Sequence, residues 1–305
     1  MKTAFVMNAR QKEKWVGRAV RSALEQTVPC EVILSYQEST DKTLEVMQQT
    51  VRDFGQTHHN VRILECPVKG PYGMAACNAH FAWAWKQCSP EVEWIFQLSA
   101  DDYSLPDRVK VCMDGLAEAR AARGGKRPAA VACTMFFEKP GEENRKAISG
   151  FPQTTGFVKA GEGLERLAYG SVIYAYNRRF LERLDDGGPN TADVYFGYLA
   201  ALAEGLYVVA NPQHVHMQHA AADNMGFGGK LLAATGDELL RVSELNHFQL
   251  LQLYDATLLK AMEIHEGKIE QADYNACLNM ILNQAHGWLE ARKALHAAGV
   301  TPGVM

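Results

Sequence analysis

The chain has 305 residues, enough for one large or two moderate domains around a sizeable core, and its 47% hydrophobic and 22% charged content is that of a soluble globular protein. A formal net charge of -4 supplies no global positive field for nucleic acid or an anionic membrane, and no apolar run has the length of a membrane span. The 7 cysteines are scattered without CxxC spacing, which points to reduced thiols in the cytoplasm and away from a disulfide framework or a zinc site. The apolar part of Met1–Asn8 is too short for a signal peptide and reads as a first strand, Thr3 to Met7.

A helix follows over Glu13 to Gln26, with Trp15, Val16, Ala19, Val20 and Ala23 at helical spacing, and Pro29 ends it. Glu31–Ser35 is a second buried strand running into the polar turn Tyr36 to Asp41. A helix carrying Leu44, Met47 and Val51 comes next, then an alternating strand, Val61–Glu65, and a helix over Met74 to Lys86. After the strand Trp94–Ser99 the pattern gives a helix from Pro106 to Arg123, a basic Gly-rich break at Arg123–Pro128, a strand over Ala129–Phe137, and a loop with a strand excursion over 138–163. A strand at Ser171–Tyr176, a short helix to Leu184, a helix opened by Asp193 and closed by Gly205, and a strand at Leu206–Ala210 complete the alternation. Three histidines, His214, His216 and His219, follow, and Lys230 to Ala298 is helical. The strand–helix rhythm implies βαβ units and a mostly parallel sheet flanked by helices.

The stretch Trp94–Asp102 organises the rest. An apolar strand ends abruptly in Ser99-Ala100-Asp101-Asp102, and ligands of parallel sheets collect at the carboxyl ends of the strands. Two adjacent carboxylates repel unless a positive group stands between them, and a divalent cation with phosphate oxygens would serve. The alternative is an Asp that caps the next helix.

The order of features resembles family 2 glycosyltransferases of the GT-A fold. Ser22…Gln26-Thr27 matches that family's Ser-x-x-x-Gln-Thr, Ser39-Thr40-Asp41 its polar turn, Gly73…Asn78-Ala79 its Gly followed by Ala-Arg-Asn-x-Gly on a helix, and Leu98–Asp102 with Pro106 its Leu-Asp-Ala-Asp-Asp element. Asp193, Gly205 and His219 fit its late acid, glycine and histidine, so the likeness runs from about Thr3 to Gly226. Two positions depart from the pattern: Tyr36 or Gln37 stands where the family has a base-reading Asp, and Ser99 replaces the first Asp of Asp-x-Asp.

The resemblance implies a GT-A catalytic domain over 1–229; the helical C-terminal region over 230–305 lies outside it, and its Leu, Met and Tyr positions suit packing on the catalytic domain or a homo-oligomer contact. It implies inverting, metal-dependent transfer of one hexosyl or pentosyl unit from a nucleoside-diphosphate sugar to a hydroxyl of a glycan, a protein or a modified nucleic-acid base. The donor would meet Asn8, Ala9, Arg10, Tyr36, Gln37, Glu38, Asp41, Asn78, Ser99, Ala100 and Asp101. Mn²⁺ or Mg²⁺ would be held by Asp102, the stronger candidate, and Asp101, with His219 or His216, and Asp193 would act as base. The alternatives are a nucleotidyltransferase and a non-catalytic binding protein with a degenerate site.

Overall fold

The computed structural model describes residues 1–67, 74–141, 145–147, 154–158, 173–184, 200, 204–217, 235–264 and 271–299. The elements in order are β1 (Lys2–Ala9), α1 (Val16–Leu24), β2 (Glu31–Tyr36), α2 (Thr43–Phe54), β3 (Asn60–Glu65), α3 (Met74–Lys86), β4 (Val92–Ser99), β5 (Tyr103–Ser104) and α4 (Arg108–Ala122). They continue with β6 (Ala130–Glu138), β7 (Lys146–Ala147), β8 (Gly156–Val158), β9 (Tyr174–Asn177), α5 (Arg178–Leu184), β10 (Leu206–Met217), α6 (Gly236–Ile264) and α7 (Gln271–Ala297).

One sheet runs β3-β2-β1-β4-β9-β6-β10-β5, with β7 on β6 and β8 on β10. β3, β2, β1 and β4 are parallel, as the strand–helix rhythm predicts. β9 is inserted antiparallel between β4 and β6, and β5 and β8 pair antiparallel with β10. Side-chain alternation splits the core between two faces. Phe5, Met7, Val32, Leu34, Trp94, Phe96 and Leu98 meet α1, α2 and α4 on one face. Ala4, Val6, Ile33 and Ile95 meet α3 and α5 on the other. Tyr254, Leu258, Ala261, Cys277 and Met280 join that second cluster, so α6 and α7 pack on the sheet's own core. All seven cysteines are free thiols, and no described helix is long and apolar enough to cross a membrane.

Two boundaries differ from expectation for identifiable reasons. α1 starts at Val16, not Glu13, because Gln11 takes a left-handed φ of 54° and the Lys12 N–H donates to Thr43 Oγ1 at 2.7 Å, tying this segment to the α2 entrance. β10 runs through Met217 where a strand to Ala210 was expected, because it absorbs Pro212 through register shifts on either side of that residue and continues along β6. His214 and His216 therefore lie in a strand and not after one. The expected boundary at 229 lies outside the described residues.

Candidate active site

The turn after β4 is locked from below. The Asp102 N–H closes it onto the Ser99 carbonyl at 3.3 Å. Ser22 Oγ accepts the Ser104 N–H at 3.1 Å, Gln26 Nε2 donates to the Leu105 carbonyl at 2.8 Å, and Gln26 Oε1 accepts the Val109 N–H at 3.1 Å. Thr27 Oγ1 donates to Asp107 at 2.7 Å. The Ser22…Gln26-Thr27 pattern thus has a physical role: Ser22 near the end of α1 and Gln26 just beyond it satisfy backbone groups of the segment that follows the two acids, and Thr27 ties down Asp107.

The two carboxylates face different surroundings. Asp101 keeps 20% of its side chain exposed and pairs with the Lys12 ammonium at 2.8 Å. Asp102 is 3% exposed, and its oxygens are engaged by the Met217 N–H at 3.0 Å, His214 Nε2 at 3.3 Å and His216 Nδ1 at 3.0 Å. Burial alone would raise the pKa of Asp102. His216 and His214 outweigh that and hold it well below the ordinary carboxylate range. Asp102 therefore joins β4 to the end of β10, and Asp101 is the acid turned to the strand ends.

A second charge lies behind this pair. Arg108 is fully buried, 5.3 Å from the Phe5 ring and 5.8 Å from the Phe96 ring, and donates to Ser104 Oγ at 3.0 Å and towards His214 Nδ1 at 3.5 Å. Guanidinium only donates, so Nδ1 must accept and Nε2 must carry the proton given to Asp102. Burial, against the pull of Asp102, lowers the pKa of His214 to about 4, so the ring is neutral near pH 7. Arg108, His214 and Asp102 form a relay in which each buried polar group answers the next.

The loops after β1 and β2 are knitted together beside Asp101. The Gln11 N–H donates to Ser39 Oγ at 3.1 Å, and the Gln11 amide donates to Thr40 Oγ1 at 3.0 Å. Asp41 accepts the Glu13 N–H at 3.0 Å and the Thr43 N–H and hydroxyl at 3.1 and 2.5 Å, contacts that together hold its pKa low against the raising effect of burial. Ser39-Thr40-Asp41 is thus a clamp that holds Gln11 in its strained conformation and Lys12 in place.

Of the other residues expected at the donor, Asn8 lies in register with Ser35 on one side and Ser99 on the other, on the face that α3 covers. The same face carries the buried Ser35–His80 contact of 2.6 Å and Gln97, whose Oε1 has no partner among the described residues. Ala9 and Ala100 are buried, and Arg10 is half-buried. Tyr36 donates to Glu65 at 3.1 Å, Gln37 is 6% exposed with its N–H on the Ala9 carbonyl, and Glu38 is exposed. Asp193, His219 and the side chain of Asn78 lie outside the described residues. Asn8, Ser99, Asp101 and Lys12 thus share one edge of the sheet, whereas Asp41 and Asp102 are committed to internal contacts.

Sequence reasoning passed over a further group beside Met217. Glu138, at the end of β6, accepts from Arg18 at 2.7 Å, from the Tyr103 hydroxyl, and from Arg145 at 3.4 Å. The Arg18 guanidinium lies 3.5 Å over the Tyr103 ring. Burial raises the pKa of Glu138, but the arginines and Tyr103 lower it further, so it is ionised. The available signal was the one used for Asp101: an acid that ends an apolar strand run, Ala129 to Phe137. Lys12 had no motif of its own.

Among the described residues no three His, Cys, Asp or Glu side chains are grouped to enclose a metal ion. The donor set still suits a hard cation, because Mg²⁺ and its like are held by one or two carboxylates with substrate phosphates and water completing the shell. Asp101 is such a carboxylate, and the ammonium beside it shows that a positive charge is accommodated at its oxygens.

Residues 4–180 match the family model described as glycosyl transferase family 2. Solved structures of similar shape include S. aureus TarS 1-349 with UDP-GlcNAc, at 16% identity and TM-score 0.57 over 94% of this chain and 81% of that one. The same protein with UDP aligns at 16% and 0.55 over 87% and 71%. The mannosyltransferase PcManGT from Pyrobaculum calidifontis, with GDP-Man and Mn2+, aligns at 16% and 0.57 over 99% and 76%. No curated protein sequence matches. These likenesses show a shared GT-A fold. With the family pattern matched over more than half of its residues, the chain belongs to glycosyl transferase family 2.

Proposed function

We propose that the protein transfers one sugar, with inversion, from a nucleoside-diphosphate sugar to an acceptor hydroxyl, using Mn²⁺ or Mg²⁺ held at Asp101. The observation that carries this reading is the accessible Asp101 carboxylate paired with Lys12 at the carboxyl end of β4, beside the mouths of β1 and β2. The Mn2+ and GDP-Man held by the Pyrobaculum structure, and the UDP-GlcNAc held by TarS, support a nucleotide-sugar donor and a cation.

In this reading the cation, when bound, spreads the charge that develops on the departing diphosphate. Lys12 leaves Asp101 and faces the phosphates, adding an electrostatic contact to the leaving group. Asn8 and Ser99 offer polar groups to the donor from adjacent strands, and Tyr36 and Gln37 line the base end. Asp102 acts at one remove, holding the turn and the end of β10. Asp193 takes the acceptor proton as the hydroxyl attacks the anomeric carbon from the side opposite the diphosphate.

The test is release of nucleoside diphosphate from a panel of UDP- and GDP-sugars with Mn²⁺, in wild type and Asp101→Asn. Turnover lost in the variant and in EDTA supports the reading. Turnover that Asp101→Asn leaves intact refutes it. The 2.8 Å ammonium contact favours one rival, in which Lys12 alone supplies the positive charge. Turnover that survives EDTA and is lost in Lys12→Met selects it.

A further inference from the structure

We propose that the pole of the sheet opposite Asp101 carries a second binding site, for an anion bearing several phosphate charges. β4 runs from Val92 to Ser99, so the two poles stand roughly 25 Å apart at about 3.3 Å per residue. At the Val92 end lie two adjoining hollows of 640 and 390 Å³ that share Arg127, Asn177 and Arg179. Their described linings hold six cationic side chains (Arg123, Lys126, Arg127, Arg178, Arg179 and Arg183) against three carboxylates, Glu93, Glu182 and Glu204. In a chain of net charge -4 this local excess of three positive charges is a concentrated field of the opposite sign.

The cations are arranged, not merely crowded. Arg127 is held by Glu93, Arg183 by Glu204 at 2.5 Å, and Arg178 by the Ser89 carbonyl at 2.7 Å. Arg123 donates to the Glu204 carbonyl at 2.5 Å and stacks on Phe157 at 3.8 Å. It crosses Gly205 so closely that a Cβ there would stand 2.6 Å from its Nη1. Gly124 and Gly125, at φ 59° and 90°, make the turn that presents Arg123, Lys126 and Arg127 to one cavity. This is the basic Gly-rich break that the donor site leaves unused.

Lys126 and Arg179 differ from these four. Both are exposed, and neither side chain is hydrogen-bonded or ion-paired among the described residues. Four guanidiniums fixed by the protein and two mobile cations at the rim suit a ligand with several planar or tetrahedral oxyanions, because guanidinium meets phosphate through two parallel hydrogen bonds. Every described residue lining the larger hollow is charged or an amide, its apolar surface being side-chain stems, which suits an anion better than a lipophilic ligand, and the volume exceeds what one phosphate fills.

The experiment is titration calorimetry in EDTA with two probes, inorganic tripolyphosphate and phosphatidylcholine vesicles containing phosphatidic acid. Wild type is compared with Lys126→Ala/Arg179→Ala and with Lys126→Glu/Arg179→Glu. Both positions are surface cations remote from Asp101, so an unchanged urea midpoint is the check on folding. The expected result is salt-sensitive binding of tripolyphosphate, weakened about tenfold or more by the alanine pair and lost in the glutamate pair. A response to the vesicles alone, whose headgroup carries a single phosphate, overturns the reading. Binding of neither probe, or binding that the double variants retain, overturns the proposal.

Discussion

Replacing Asp102 by Asn keeps the shape of the side chain and removes its charge, which makes it a sharp test of the buried relay. The carboxylate accepts from the Met217 N–H at 3.0 Å and His214 Nε2 at 3.3 Å, while Arg108 fixes the tautomer from the far side of the ring. An Asn has one oxygen. If it serves Met217, its NH₂ faces the His214 N–H, two donors in a fully buried space. If His214 changes tautomer to accept, its Nδ1–H confronts Arg108. Either arrangement leaves one buried donor unmet, at about 1–3 kcal/mol, and removes the charge that holds the His214 ring between Asp102 and Arg108. We expect Asp102→Asn to lose about 3 kcal/mol in urea denaturation at pH 7. His214→Phe combined with it should cost less than the two single losses added, because the partners share one network. A loss below about 0.5 kcal/mol would refute the relay, since that is the range of changes at unconstrained surface positions.

Further outcomes follow from other parts of the chain. A Cβ on Gly115 would stand 2.3 Å from Val209 Cγ2, so Gly115→Ala should destabilise by about 1–3 kcal/mol by overpacking α4 on β10, and Val209→Ala should restore part of that in the same urea assay. Burial lowers the pKa of His80 to about 4, below the unfolded value near 6.5, so as pH falls the unfolded chain takes up the proton first. The stability this neutral ring contributes is complete above about pH 6.5 and is lost towards pH 4, about 3 kcal/mol over that window; urea midpoints from pH 7 to 4 should fall, and His80→Phe should flatten the slope. Lys12→Met removes the cation that competes for Asp101, so Mn²⁺ alone should bind about tenfold tighter while nucleoside diphosphate binds more weakly, both read by calorimetry.

The alternation of strands and helices, and the run of apolar residues in β1, β2, β4 and β6, made the parallel half of the sheet and both faces of its core legible from pattern alone. The antiparallel β9 and the extended β10 were not, because nothing local distinguishes an antiparallel strand inserted in a buried sheet, and Pro212 looks like a terminator unless a register shift absorbs it. Asp101 and Asp102 stood out as the end of an apolar run, but adjacent residues in a turn point different ways. Only the fold shows that β10 brings His214 and Met217 against Asp102 and leaves Asp101 to Lys12. The roles of Asp41, Ser22 and Gln26 as clamps are hydrogen bonds between segments distant along the chain, and periodicity cannot encode those. Glu138 carried the same strand-end signal as Asp101, but its partners Arg18 and Tyr103 come from two other elements, and periodicity does not join them.

The most direct measurement is calorimetric titration of the wild type and Asp101→Asn with UDP and GDP, each with and without Mn²⁺. The account predicts that one nucleotide binds wild type, that Mn²⁺ tightens it severalfold, and that the Asn variant loses this metal-dependent gain while its urea midpoint stays put. Nucleotide affinity indifferent to both Mn²⁺ and the Asp101 carboxylate would contradict it.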